Sequence, residues 1–192
     1  MYNTNHIMAT FNNNNSEPLT PTYTLYISVN QEDLSLIQYY EEAIGSHNNE
    51  ILHNPMPDSG FDLIVPEEQE LYAHKVNKIN FQVKCEMRHN ETHRTSPFYM
   101  YPRSSISKSH FRLANNTGII DSGYRGCLMG MFDLVYTQQC VKCEKHCRLL
   151  QVCAPNLEPF KVVLLQNDNA MSQSTRGEGG FGSTGGISLP HV

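Results

Sequence analysis

Polar and apolar residues alternate from Lys78 to Met87 (Lys-Ile-Asn-Phe-Gln-Val-Lys-Cys-Glu-Met), the period of a half-buried strand. Short apolar runs at Leu128 to Tyr136, Leu149 to Val152 and Phe160 to Leu165 predict further strands, as does the aromatic-rich segment Pro97 to Tyr101. Asn, Gly, Ser and Pro punctuate the intervals, and short strands so spaced point to an all-β sandwich, barrel or jelly roll. Glu32 to Ile44 departs from this pattern. There Leu34, Ile37 and Ile44 share one face of a helix, with Asn30 or Ser28 as cap. This helix lies upstream of the main strand region, as an appendage with no assigned role.

The two ends have no apolar period. Residues 1–22 carry an Asn run (Asn12 to Asn15) and read as disordered. Residues 23–53 form an extension with a strand and the short helix, 54–165 a β domain, and 166–192 a flexible tail. The chain has 192 residues, 39% hydrophobic, and a net charge of −5, which gives no general attraction to nucleic acid. It has no apolar run of membrane-spanning length and no basic-apolar leader, so an intracellular location, cytoplasmic or nuclear and not secreted, is expected. Cys140, Cys143, His146 and Cys147, with Cys153 nearby, raise a zinc site, but the spacing is half a signature. Reduced, partly buried thiols are the preferred reading.

Chemistry concentrates in two segments. The tail run Arg176-Gly177-Glu178-Gly179-Gly180-Phe181-Gly182-Ser183-Thr184-Gly185 joins a guanidinium fork, hydroxyls and an aromatic ring to glycines that let backbone N–H groups approach an anion. Taken alone it reads either as a phosphate clamp with an aromatic lid or as a linker. The segment Gly118 to Gly126 places a turn signal, Asp121-Ser122-Gly123, after the β-branched pair Ile119-Ile120; by itself it is a hairpin. Pro102-Arg103-Ser104-Ser105 is a further anion contact or an exposed turn. Asp58-Ser59-Gly60-Phe61-Asp62-Leu63 sets one carboxylate between apolar neighbours at a strand start.

Together these segments resemble the trimeric deoxyuridine triphosphatases, whose five ordered motifs all have counterparts here. Ser59 to Leu63 is similar to Ala-Gly-Tyr-Asp-Leu, Pro102 to Ser105 to Pro-Arg-Ser-Gly, and Gly118 to Gly126 to the Asp- and Tyr-bearing third motif. Arg148-Leu149-Leu150-Gln151 resembles the fourth, and the tail matches the fifth at every defined position. The resemblance implies a distorted jelly-roll (β-clip) subunit, a homotrimer with shared active sites, and hydrolysis of dUTP to dUMP and pyrophosphate, with no nucleic-acid or membrane partner. It makes Asp121 the general base for water attacking the α-phosphorus, and gives Mg²⁺ as cofactor, with Asp62 holding the ion through water. It puts Asn115, Gly118 and Ile119 against uracil and Tyr124 against deoxyribose. Arg103, Ser104, Ser105 and Gln151 meet the phosphates, while Arg176, Phe181, Gly182, Ser183 and Thr184 close over the nucleotide. Four features depart from the pattern: Ser105 replaces a Gly, Gly123 an Asp, Cys147 an acid, and the part before the first motif is unusually long. A dCTP deaminase or bifunctional deaminase-diphosphatase of the same fold, and a non-catalytic nucleotide-binding regulator, are the alternatives.

Overall fold

The computed structural model describes residues 20–179. In chain order the elements are β1 (Tyr23–Val29), α1 (Leu34–His53), β2 (Gly60–Ile64), β3 (Gln69–Leu71), β4 (Asn77–Asn80), β5 (Val83–His89), β6 (Thr95–Ser96), β7 (Phe98–Pro102), β8 (Phe111–Leu113), β9 (Gly118–Ile120), β10 (Met129–Leu134), β11 (Val141–Cys143), β12 (Arg148–Cys153) and β13 (Lys161–Leu164). They form a mostly β structure of four small sheets, ordered β13-β1-β5-β6, β4-β10-β8, β11-β3 and β2-β12-β7-β9. Phe81, Phe98, Phe132 and Phe160 are fully buried between them.

The alternation from Lys78 to Met87 assigns faces correctly but not continuity. The run breaks at Gln82, which adopts a left-handed conformation with φ 56°. Its backbone N–H is taken by Asn80 Oδ1 (2.9 Å) and its side-chain amide by Glu67 (2.6 Å), which stabilise the bend. β4 then pairs with β10, and β5 with β1, so one polar-apolar run serves two sheets.

The upstream segment is no appendage. β1 lies between β5 and β13, with Leu25 and Ile27 fully buried. The helix runs through His53, well past Ile44, and its cap is Asp33, which accepts from Leu36 N at 3.0 Å; Asn30 shapes the preceding turn, and Ser28 belongs to β1. Leu34, in the first turn after the cap, is 76% exposed, and packing of the helix against β13 and β1 turns Leu36, Tyr40, Ile44 and Ile51 inward. Asn48 donates to Val162 O (2.8 Å) and accepts from Val162 N (2.9 Å), pairing both backbone groups on the outer edge of β13. The buried Tyr40 hydroxyl accepts from Ile64 N at 3.1 Å, beside the bulge between Arg148 and Leu150.

Candidate active site

The sheet β2-β12-β7-β9 sets four of the sequence motifs side by side. Gln151 on β12 lies opposite Asp62 on β2 and Tyr101 on β7, while Tyr99 on β7 faces Ile119 on β9. β7 ends at Pro102, so Arg103 and Ser104 emerge from the sheet end next to Asp62 and Gln151. The Gln151 side chain crosses over Gly60, where an added Cβ would sit 2.1 Å from Oε1. Glycine at this position is a requirement of close approach.

Asp62 is held from both sides. Arg103 Nε donates to its Oδ1 at 2.7 Å and Arg148 Nη1 to its Oδ2 at 3.2 Å. Burial pushes the Asp62 carboxyl up from its ordinary value, against the pull of the two guanidinium groups. Arg103, Ser104 and Gln151 line one cavity of about 240 Å³ with Asp58. Ser105 is exposed in the following 3₁₀ turn.

A second cavity, about 200 Å³, lies at the other edge of the sheet, where Asn115, Gly118, Ile119, Asp121, Tyr124 and Arg176 converge with Met100, Leu128 and Met129. Tyr124 is buried and its hydroxyl donates to Cys127 O at 2.9 Å; burial raises its pKa. The turn forms as expected, with Tyr124 N donating to Asp121 O at 3.0 Å. Its arms do not pair as a hairpin, however. β9 bonds to β7, and β10 to β4 and β8, so the turn joins two sheets and opens a cleft between them.

Asp121 is exposed, and Arg176 Nη1 reaches its Oδ2 at 2.7 Å. The tail root thus lies on the turn: Ser174 Oγ donates to Gly123 O at 2.5 Å and Arg125 N to Gly177 O at 2.9 Å. A Cβ at Gly123 would meet Ser174 Oγ at 2.8 Å, so the departure from Asp at this position makes room for the chain's own tail. Phe181, Gly182, Ser183 and Thr184 lie outside the described residues.

A family model for dUTPase matches residues 49–185. The chain belongs to the dUTPase family. Among relatives, a deoxyuridine 5'-triphosphate nucleotidohydrolase of Clostridium tetani is 30% identical over 164 residues, covering 85% of this chain and 97% of that protein. One of Alkaliphilus metalliredigens is 35% identical over 67% of this chain and 83% of its own length. A crystal structure of dUTPase from Streptococcus mutans overlaps 57% of this chain and 82% of its own, with TM-score 0.43 and 25% identity. Membership of the dUTPase family agrees with the mostly β, jelly-roll class expected from the sequence, qualified by the long helix α1.

The dUTPase motifs include Arg125 without a role and did not reveal Glu86 and Ser172; together the three join the turn to β5 and to the tail root. Glu86 sat at a polar position of an alternating run and read as solvent-facing; only the sheet arrangement buries it. The six cysteines are free thiols, and burial pushes Cys143 up to about 12. Among the described residues, no group of three or more His, Cys, Asp or Glu side chains could hold a metal ion. No helix among them is long and apolar enough to cross a membrane.

Proposed function

We propose that the protein hydrolyses dUTP to dUMP and pyrophosphate, with Asp121 as general base. The observation that carries this is the exposed Asp121 carboxylate at the mouth of a small cleft walled by Asn115, Gly118, Ile119 and the buried Tyr124. The cleft suits a flat pyrimidine: backbone groups of Gly118 and Ile119 and the Asn115 side chain pair with the uracil edge, and Tyr124 lies against deoxyribose. A pocket that closely fits uracil rejects the thymine methyl by overlap, and polar groups left unpaired disfavour cytosine.

Asp121 accepts a proton from a water molecule, whose oxygen bonds to the α-phosphorus as the bond to the β-phosphate bridging oxygen breaks. The electron pair leaves with pyrophosphate. Arg103, Ser104, Ser105 and Gln151 supply donors to the phosphate chain. Mg²⁺, when bound, neutralises phosphate charge and fixes the curl of the triphosphate, and Asp62 would hold one of its waters. Arg176 exchanges Asp121 for a terminal phosphate when the nucleotide enters, which frees the base. Phe181, Gly182, Ser183 and Thr184 then cover the nucleotide and exclude bulk water. The two cavities share no lining residue in a single chain. Such a separation suits active sites shared between subunits, the phosphate side of one completing the uracil side of another; the number three follows the resemblance to the trimeric deoxyuridine triphosphatases.

A substrate panel of dUTP, dTTP, dCTP and UTP, assayed for pyrophosphate with and without Mg²⁺, tests this reading. Metal-dependent release from dUTP above the other three is expected. No release from dUTP overturns it, and ammonia from dCTP would point to a deaminase.

A further inference from the structure

Lys84, Glu86 and Arg88 occupy alternate positions of β5, the spacing of one strand face. Glu86 is fully buried and fully partnered. Its Oε1 accepts from Arg88 Nε; its Oε2 accepts from Arg125 Nη2 at 2.5 Å, Ser172 N at 3.0 Å and Ser172 Oγ at 2.5 Å. Arg125 in turn uses all the donors a guanidinium offers. Nε goes to Ser172 O (3.0 Å), Nη1 to Ser122 O (3.0 Å) and Tyr124 O (2.8 Å), and Nη2 to Ser172 Oγ (2.7 Å) and Glu86.

We propose that Glu86, acting through Arg125, is a positioning residue that fixes the direction of the Asp121 carboxylate. The inference rests on the reading of Asp121 as general base. A buried guanidinium must place all its N–H groups whatever its role, and for stability alone an apolar pair fills the same space as well or better; what marks this one is where its acceptors lie. Here the guanidinium bridges the two carbonyls on either side of Gly123, within the turn that Asp121 opens. The Glu86 carboxylate holds that fork in one orientation. The same carboxylate takes the Ser172 amide, so the turn and the tail root share one buried anchor. Arg88 leaves Glu86 charge-compensated when Arg125 is altered, which separates loss of the clasp from loss of a buried partner.

Glu86→Gln keeps the shape and removes the charge. Its kcat on dUTP is expected to fall about 10- to 100-fold, since small misplacement of a reacting group has that effect. Affinity for a non-hydrolysable imido analogue of dUTP should stay within about threefold of wild type, because Glu86 meets no nucleotide. Hydrogen exchange at the Tyr124 and Arg125 amides should become faster by about tenfold or more. Wild-type exchange at these amides, wild-type kcat in the folded variant, or affinity lost in step with kcat would each overturn the proposal. If Glu86→Gln does not fold, Arg125→Lys carries the same readouts, because a compact ammonium cannot fork to both carbonyls. If the wild-type protein turns over no dUTP, the reading of Asp121 fails, and the exchange measurement still decides whether Glu86 orders the turn.

Discussion

The two acidic residues of the site are held in opposite ways. Asp62 sits in a sheet, half-buried, with a guanidinium on each oxygen. Asp121 sits on a turn, exposed, with one partner delivered by the tail root. Both Asp62 oxygens are engaged by fixed cations, so this carboxylate orients the arginines and is not free to meet water. A carboxylate with one exchangeable partner can meet water once that partner leaves. On the proposed mechanism, the sheet end orients the phosphate donors and the turn takes the proton.

The strongest way to break this contrast is Asp121→Asn. It should lower kcat by about 10²- to 10⁴-fold while leaving nucleotide affinity largely intact, read by pyrophosphate release alongside equilibrium binding. Equal loss of binding would make Asp121 a scaffold like Asp62. Truncation before Arg176 should lower kcat by about 10²-fold and leave the folded core unchanged, checked by turnover with circular dichroism and sizing. Asp62→Asn removes a charge that burial already disfavours while both arginines keep access to water, so it should lower turnover and change urea unfolding by no more than about 1 kcal/mol. Unaltered turnover would show that Asp62 orients nothing in the site. Gly123→Ala pushes on Ser174, and about 1 kcal/mol of strain should appear as faster exchange in the tail root and a few-fold lower kcat.

Acid should act least, and on the tail root. The Asp168 carboxyl is held below its ordinary value by the Ser28 hydroxyl (2.5 Å) and by Lys84 (2.9 Å). A depressed carboxyl binds protons more weakly folded than unfolded, so its contribution is complete above the ordinary value and disappears as pH falls through the folded one. Proteolysis or exchange of residues 168–178 should therefore rise only below the ordinary carboxylate range. Release of the tail root near neutral pH would exclude Asp168 as its anchor.

The sequence displayed the site more fully than the fold. The motifs that resemble the dUTPase family are local, so Asp121, Tyr124, Arg103 and Gln151 could be named as candidates residue by residue. Their distribution over two cavities was not legible, because the separation depends on β9 pairing with β7 while β10 joins another sheet. Alternation identified the faces of β4 and β5 but could not reveal the left-handed Gln82 between them. The helix was visible as a period, while its inward face depended on docking against β13 and β1, which buries Leu36, Tyr40 and Ile44. Glu86 was hidden for a related reason. A polar residue on a strand looks solvent-facing until another segment, here the tail root, covers it.

In the proposed mechanism the α-phosphorus lies at the Asp121 turn and the leaving pyrophosphate points toward Arg103 and Gln151. Hydrolysis of dUTP in ¹⁸O-water tests that placement most directly. Label in the phosphate of dUMP, with unlabelled pyrophosphate, is the predicted result. Label in pyrophosphate would mean attack at the β-phosphorus and would contradict the assignment of Asp121 as the base acting on the α-phosphorus.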